Sequence, residues 1–307
     1  MSQIRQAVEH YLRVRRVLGY KLLIEGRMLN QFATFLEDRG HDHVTTDAAL
    51  QWAIAPAGAA VQWWAARLTV VRGFARFQAG FDQRTEIPPT DLLPRAGNHR
   101  RAAPYLYSER QIAALLCAAR GMRCPMRAAT FESFIGLMAS TGMRTGEAMG
   151  LDRDHVDLDG GMLTVCGTKF GKSRLIPLHA SVIEQLDRYQ HQRDRLRPRP
   201  ASPAFFLSGA GTRLNHTNAS KAFNKLLTAA AIEAEPKPRL YDLRHSFAVS
   251  TLTDWYEQNL DVAHLLPTLS TYLGHVSPAT TYWYLQACPM LMTAAAGRLE
   301  SFWSHAS

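Results

Sequence analysis

The chain carries two arginines, a histidine and a pair of tyrosines, residue types that together suit chemistry on a phosphate group. Arg144 lies in TGMRTGEAMGL, Arg244 in YDLRHSFA and His275 in GHVSPATTYWYL, whose last residues include Tyr282 and Tyr284. Guanidinium groups are permanently charged, planar donors that match two phosphate oxygens. A phenol is an oxygen nucleophile, and an imidazole transfers protons near neutral pH. Such a set can neutralise a phosphodiester, attack it and supply a proton to the leaving oxygen.

The first arginine is predicted to open a helix. The preceding segment has four apolar residues at helical spacing, which are Phe131, Phe134, Ile135 and Met138. Gly142 breaks that helix and allows a sharp turn, so that Arg144 begins the next helical segment with Glu147 one turn along. An arginine in this position is usually a surface charge, and Arg144 becomes a candidate only in the company of the other groups.

The residue types leave two choices of candidate site residue open, one between two tyrosines and one between two lysines. Tyr282 and Tyr284 share one predicted helix and lie about 200° apart at 3.6 residues per turn, so that only one of them can face the arginines. Residues 156–177 contain the β-rich runs LTVCG and SRLIP around TKFGK, which predicts a hairpin that carries Lys169 and Lys172. The pattern alone leaves both choices open.

Residues 1–80 are predicted to form four amphipathic helices. Two helices place apolar residues on one face, namely Ile4, Val8, Tyr11 and Leu12 in the first and Met28, Phe32, Phe35 and Leu36 in the second. Residues 45–47 offer caps for the third helix. The fourth, at about residues 59–79, is predicted to turn Arg67, Arg72 and Arg76 away from its apolar face, toward solvent or phosphates.

The length and composition limit the classes of protein to which the chain can belong. The 307 residues, 47% of them hydrophobic, are enough for two modest cores. No long apolar run and no apolar leader is present, so we expect a cytoplasmic protein without a membrane span. The four cysteines are scattered without Cys-x-x-Cys or histidine spacing, which predicts neither a zinc site nor disulfide bonds. We expect no metal and no cofactor.

The charge indicates a polyanionic partner. A net charge of +9 favours association with phosphates, because lysine and arginine release counterions when they neutralise them. Residues 1–101 hold 14 basic and 9 acidic side chains, and the remainder holds 21 and 17. Two basic lobes suit a clamp around DNA, with generic solubility as the alternative.

Two segments are predicted to be connections. Residues 81–104 are rich in proline, which predicts an extended linker, and residues 193–203 are predicted to form a basic connector on the surface.

The two arginine boxes, the hairpin lysine and the segment from His275 to Tyr284 together resemble the tyrosine recombinase, or phage integrase, family. Members of that family cut and rejoin DNA through a phosphotyrosine. The resemblance covers the catalytic half and implies a mainly α fold with a small antiparallel β-sheet. It implies a helical core-binding domain at residues 1–80, a linker at 81–104 and a catalytic domain at 105–307.

The resemblance assigns a role to each group. Arg144 and Arg244 would hold the scissile phosphate, and Lys169, in the register of the family's hairpin lysine, would be the general acid for the 5′-oxygen. The family's spacing from His275 selects Tyr284 as the nucleophile, and His275 would donate to the phosphate or assist the tyrosine. The phosphotyrosine would conserve the bond energy of the broken strand, so that religation needs neither ATP nor a metal.

One position departs from the family's pattern. The His-x-x-Arg box begins here with Tyr241 in place of its histidine. A free phenol, with a pKa of about 10, is a poor base near neutral pH. Tyr241 is therefore expected to hold the phosphate or its neighbours without moving protons. The alternative is catalytic decay to an accessory DNA-binding subunit of a multi-recombinase complex, which would bind DNA without covalent capture.

The resemblance also implies partners. Four protomers, identical or mixed, would assemble on two double-stranded DNA recombination sites, at the nucleoid, and exchange strands through a Holliday junction. Residues 290–303 are a candidate helix for docking on a neighbour, or for packing on their own domain. Residues 255–275 form a longer segment than in simple integrases, which resembles transposon-encoded members that work with sister recombinases. The amino-acid sequence does not decide between integration, transposition and resolution, and it does not identify the target DNA sequence.

Two other enzyme classes use related chemistry. A metal-dependent nuclease or transposase needs a spaced Asp/Asp/Glu set, and none stands out in the chain. A type IB topoisomerase forms the same phosphotyrosine but relaxes supercoils as a monomer.

Overall fold

The computed structural model describes residues 2–93, 104–166, 173–275, 277 and 279–287. The chain divides into two compact units, residues 1–100 and residues 101–307. The described residues are mainly helical, with one small antiparallel sheet. This confirms the predicted fold class. None of the described helices is long and apolar enough to cross a membrane.

Four helices build the first unit: α1 (Gln3–Val17), α2 (Leu23–Glu37), α3 (Thr46–Ile54) and α4 (Val61–Gln78). The apolar face predicted for α1 is confirmed, because its four residues are buried. The predicted cap of α3 is also confirmed, since the Thr45 side chain accepts a hydrogen bond from the Ala48 N–H. The buried faces of all four helices meet in one core that includes Phe32, Trp52 and Phe74.

The prediction for two arginines of α4 was wrong. Arg67 is buried, lies 3.7 Å over the Trp52 ring and donates to the Trp52 carbonyl at 2.6 Å. Arg72 donates to the carbonyls of Pro88 and Pro89, each at 2.7 Å. Both guanidiniums satisfy carbonyls within the unit, and helical periodicity does not reveal such partners. Arg76 is exposed, as predicted.

The first unit extends beyond the predicted boundary at residue 80. Besides the bonds from Arg72, the Glu86 N–H donates to the Val44 carbonyl at 2.8 Å. Leu92 and Leu93 pack against the core of the unit. The described part of the predicted linker, up to residue 93, therefore packs on the helices that precede it. Residues 94–103 lie outside the described residues.

The second unit surrounds a buried helix. It contains α5 (Glu109–Arg120), α6 (Pro125–Thr141), α7 (Thr145–Gly150), α8 (Ala180–Leu196), α9 (His216–Ala229), α10 (Asp242–Glu257), α11 (Val262–Leu273) and α12 (Ala279–Ala287). Helix α6 packs against α5, α8 and α10. The capping box predicted at Ser108 and Gln111 is present and opens α5. Because α6 is buried on several sides, it is a rigid base for the turn that follows it.

The predicted hairpin is confirmed as part of a three-stranded antiparallel sheet. Its strands are β1 (Val156–Asp157), β2 (Met162–Val165) and β3 (Arg174–Pro177), in that order. Leu163 pairs with Ile176, and Val165 pairs with Arg174. Residues 167–172, which include both candidate lysines, lie outside the described residues.

The basic connector predicted at residues 193–203 was partly wrong. Helix α8 continues to Leu196, so the first four residues of that segment are helical. Arg193 is buried and donates to the Ala204 carbonyl at 2.9 Å. A buried arginine with a carbonyl partner ties the end of α8 to the chain beyond it, which a count of basic residues does not indicate.

Candidate active site

Arg144 is positioned by the end of one helix and the start of the next. Gly142 ends α6 with a φ of +60°, a conformation that glycine adopts without strain. A Cβ on Gly142 would lie 2.5 Å from Cδ1 of Phe247. Arg144 then occupies the N-cap position of α7, as predicted, and its side chain is 33% exposed. The turn therefore presents a guanidinium that solvent can reach.

Glu147 lies between two arginines. Its carboxylate accepts from Nη1 of Arg144 at 2.7 Å and from both terminal nitrogens of Arg174 at 3.0 and 2.7 Å. Burial alone would raise the pKa of Glu147, but the hydrogen bonds and charges of Arg174 and then Arg144 lower it to about 2. The carboxylate is thus ionised at neutral pH and fixes both guanidiniums.

Arg244 is fully enclosed, with 0% of its surface exposed. Its two terminal nitrogens donate to the carbonyls of Gly142 and Leu273, each at 2.8 Å. Its Nε has no hydrogen-bond partner among the described residues. Burial lowers the pKa of Arg244 and the charge of Arg144 lowers it further, but a guanidinium remains protonated in proteins.

Three arginines bind the C-terminal end of α11. The successive carbonyls of residues 272–274 accept from Arg174 at 3.0 Å, Arg244 at 2.8 Å and Arg144 at 2.5 Å, in that order. The last carbonyls of a helix lack partners within the helix and form the negative end of its dipole. One helix end therefore gathers three cations that lie far apart in the sequence.

Gly274 allows this close approach. It ends α11 with a φ of +69°, and a Cβ on it would lie 2.8 Å from Nη1 of Arg174. The next residue, His275, donates its backbone N–H to the Ser270 carbonyl at 2.9 Å. Nδ1 of His275 lies 2.7 Å from Oγ1 of Thr281, at the start of α12. His275 thus joins the end of α11 to α12.

The two tyrosines of α12 face opposite ways, as their spacing predicts. Tyr282 is 46% exposed, whereas Tyr284 is 2% exposed and packs with α10 and α11. Oη of Tyr284 lies 2.9 Å from Nδ1 of His245, and the ring of His275 stacks on Tyr284 with 6.4 Å between centroids. Of the two candidates, Tyr284 is the one directed toward the arginines.

Tyr241 precedes α10 at the edge of the site. Its side chain is 39% exposed, and its ring meets the His245 ring edge-on with 4.9 Å between centroids. The Asp242 carboxylate accepts from the backbone N–H of Arg239 at 2.7 Å and fixes the turn before the helix. Tyr241 therefore contacts the imidazole that binds Tyr284.

The described structure brings together Arg144, Arg244, His275 and Tyr284, with Tyr241 at their edge. Lys169 and the candidate docking segment at residues 290–303 lie outside the described residues. The described ranges contain no group of three or more His, Cys, Asp or Glu side chains that could hold a metal ion.

Sequence reasoning missed two residues of this site. His245 follows Arg244 directly in the second box, and this adjacency was the available signal. Arg174 lies on β3, where an arginine in an alternating strand normally faces solvent. Its contacts with Glu147 and with the Tyr272 carbonyl come from elements distant in sequence, and strand periodicity cannot indicate them.

Comparison with known proteins relates this arrangement to a family. The model of the phage integrase family matches residues 106–289. An integrase/recombinase of Sinorhizobium fredii, y4rB, is 46% identical over 99% of this chain and 99% of its own length. The tyrosine recombinase XerD of Mycobacterium tuberculosis is 30% identical over 92% of each chain.

Solved structures have the same fold. The Tn1549 transposon integrase in complex with transposon right end DNA has a TM-score of 0.64 at 16% identity, over 98% of this chain and 100% of its own. The XerH site-specific recombinase bound to palindromic difH substrate has a TM-score of 0.62 at 19% identity, over 89% and 78%. The comparisons give no support to the accessory-subunit alternative. Since the family model spans more than half of the chain and relatives match along its whole length, the protein belongs to the phage integrase family and is a tyrosine site-specific recombinase.

Proposed function

We propose that this recombinase acts on double-stranded DNA through a 3′-phosphotyrosine formed on Tyr284, in the integration, transposition or resolution of mobile DNA. The observation that carries the proposal is that the Tyr284 hydroxyl is bound to His245, the residue that follows Arg244, whose guanidinium binds the end of α11. Tyr284 is near enough to Arg244 for the two groups to interact electrostatically. A phosphate held by that arginine would lie beside the nucleophile.

The arginines would neutralise the phosphate. Arg144 and Arg244 supply planar, charged N–H donors for the nonbridging oxygens as negative charge develops. His275 donates to the phosphate or orients Tyr284, on whose ring it stacks. Lys169 would protonate the 5′-oxygen as the phosphorus–oxygen bond breaks. Religation reverses these steps with a different 5′-hydroxyl.

The burial of the site sets a condition on this reaction. Arg244 and Tyr284 are both enclosed, and the terminal nitrogens of Arg244 and the hydroxyl of Tyr284 bind protein partners. A phosphate reaches them only after α12 or the end of α11 moves, whereas Arg144 is already open to solvent. We therefore place the first phosphate contact at Arg144.

Related proteins support the proposed partners. The named relatives are integrases and recombinases, and the XerH and Tn1549 structures are complexes with DNA. By analogy, this chain would assemble as a homo- or hetero-tetramer on two recombination sites, in the cytoplasm at the nucleoid. A second recombinase of Sinorhizobium fredii, y4rE, is 37% identical over 95% of this chain, which supports the idea of sister recombinases. The helical first unit would be the core-binding domain, and its exposed Arg76 is available for phosphate contact.

Covalent capture tests the proposal. A nicked suicide DNA from the sequence that flanks the gene is incubated with the wild-type protein, Tyr284→Phe and Tyr282→Phe. A denaturation-resistant adduct is expected with the wild type and with Tyr282→Phe but not with Tyr284→Phe. An adduct that survives in Tyr284→Phe would disprove the assigned nucleophile. Salt-dependent binding without an adduct in any variant, even after a sister recombinase is added, would disprove cleavage by this chain.

A further inference from the structure

His245 lies directly against the proposed nucleophile. Its Nδ1 is 2.9 Å from Oη of Tyr284, and the two rings meet edge-on with 5.5 Å between centroids. His245 follows Arg244 on α10, so one turn of helix sets both the guanidinium and the imidazole. The imidazole is therefore held in place by the same backbone that orients the phosphate-binding arginine.

A second imidazole and two aromatic side chains lie near this pair. Nδ1 of His275 is hydrogen-bonded to Oγ1 of Thr281, and its ring lies nearly parallel to that of Tyr284, at 25°. The ring of Tyr241, where the family's pattern has a histidine, lies nearly perpendicular to that of His245, at 82°. The ring of Trp283 packs on His245 with 5.7 Å between centroids. These aromatic contacts orient the imidazole toward the phenol.

We propose that His245 is the proton acceptor for Tyr284, a catalytic role that compensates for the missing histidine at position 241. The inference rests on the proposed function. The neutral imidazole, with its proton on Nε2, offers the Nδ1 lone pair to the phenol. As Oη of Tyr284 bonds to phosphorus, its proton passes to Nδ1 and the bond from phosphorus to the 5′-oxygen breaks. The leaving oxygen takes a proton from Lys169, and religation returns the proton from His245 to Tyr284.

The chemistry suits an imidazole better than a second phenol. A free imidazole has a pKa of about 6.5 and a free phenol about 10, so the proton stays on the phenol until attack on phosphorus makes it acidic. The acceptor is then required only in the transition state. A phenol at position 241 is a weaker proton acceptor than an imidazole, and the ring of Tyr241 packs against His245 with 4.9 Å between centroids.

The matched test replaces His245 by asparagine. In His245→Asn the amide oxygen can still accept a hydrogen bond from Tyr284 but cannot take its proton. Single-turnover adduct formation on the nicked suicide DNA should slow by about 100-fold or more, with unchanged DNA affinity. His191→Asn is the control, because His191 is an exposed residue of α8 that pairs with Asp187. His245→Gln is measured in parallel in case the asparagine variant unfolds, which circular dichroism would detect.

A second change separates proton transfer from positioning. A fluorinated tyrosine introduced at position 284 has a more acidic phenol and therefore needs less help from a base. It should restore adduct formation by at least about tenfold in His245→Asn while changing the wild-type rate little. Loss of the hydrogen-bonded geometry alone would not be repaired by a more acidic phenol.

The outcomes separate this inference from the proposed function. If His245→Asn forms adduct as fast as the wild type, His245 has no role in cleavage, although Tyr284 can still be the nucleophile. If the variant is slow and the fluorinated tyrosine does not rescue it, His245 positions Tyr284 without accepting its proton, and the inference is wrong. If the wild type itself forms no adduct, the proposed function fails first.

Discussion

At the scale of single residues, the site depends on a carboxylate that is shared by two guanidiniums. Glu147 binds Arg144 from the turn after α6 and Arg174 from β3. Both partners favour its ionised form strongly enough to overcome the effect of burial. The pair Arg144–Glu147 lies within one helical turn, but Arg174 joins it only through tertiary structure.

Replacing this carboxylate should reduce stability in a pH-dependent way. The pKa of Glu147 is about 2 in the folded protein and near 4.5 in the unfolded chain, so ionised Glu147 stabilises the fold above about pH 4.5. That contribution, on the order of 3 kcal/mol, disappears as the pH falls toward 2. Glu147→Gln should therefore lower the free energy of unfolding in urea at pH 7 and converge on the wild type at low pH.

Glu132→Gln is the control for this measurement. Glu132 pairs with the exposed Arg120 on the surface, where an ion pair contributes little. A Glu147→Gln penalty that is no larger than that of Glu132→Gln, or that grows as the pH falls, would contradict the proposed sharing.

Arg244 should not tolerate lysine. Its guanidinium binds two carbonyls in different directions while fully buried, and a lysine ammonium on a flexible stem cannot reproduce that geometry. Arg244→Lys is expected to slow adduct formation by about 100- to 1,000-fold, the usual effect of losing a preorganised donor to a developing oxyanion. Single-turnover assays on suicide DNA would measure it. A lysine variant within a few-fold of the wild type would argue against phosphate binding at this position.

At the scale of elements, two helix ends with left-handed glycines make the arginine contacts. Gly142 closes α6 and offers its carbonyl to Arg244, and Gly274 closes α11 and offers its carbonyl to Arg144. A side chain at either position would strain the backbone and collide with Phe247 or Arg174. Each glycine therefore allows the backbone to turn and a neighbouring side chain to approach closely.

Alanine at these positions should be costly. Gly142→Ala and Gly274→Ala are each expected to lower the free energy of unfolding by about 1 to 3 kcal/mol, measured by urea denaturation. Gly146 in α7 is the matched control, because its Cβ would meet nothing within 4 Å. Gly146→Ala should be neutral or stabilising by about 0.5 to 1 kcal/mol. Equal effects at all three glycines would show that neither conformation nor crowding matters at the site.

These elements also show how far the sequence could be interpreted. Caps, glycines and alternation predicted α6, the turn to Arg144, the hairpin and the opposite faces of Tyr282 and Tyr284. Such features are local, and local chemistry determines them. The roles of Arg67, Arg174 and Arg193 were missed because their partners are carbonyls and carboxylates brought close only by tertiary packing.

At the scale of the whole molecule, two separately packed units share a basic character. Each unit has its own buried core, and basic side chains exceed acidic ones in both parts of the sequence. Several of these arginines are buried and donate hydrogen bonds to carbonyls inside the units, as Arg67 and Arg193 do. The charge available to DNA is therefore smaller than the sequence count suggests.

DNA affinity should depend steeply on salt. If the protein makes 6 to 10 phosphate contacts, raising the salt from 50 to 200 mM should weaken binding by roughly 10³- to 10⁵-fold. Fluorescence anisotropy with labelled duplex DNA would give the slope of log K against log salt. A slope near zero would be incompatible with a clamp that neutralises phosphates.

The end of α11 has one further consequence, because its carbonyls and a phosphate are rival acceptors for the same N–H groups. The carbonyls of residues 272–274 accept hydrogen bonds from all three arginines. The chain continues from there through His275 to α12 and Tyr284. Each arginine N–H group that turns to a phosphate gives up its hydrogen bond to the end of α11. By the reciprocity of linked equilibria, whatever loosens the end, whether DNA or a neighbouring protomer, raises phosphate affinity by the same factor. Release of the proposed nucleophile and capture of a phosphate would thus become a single, mutually reinforcing event.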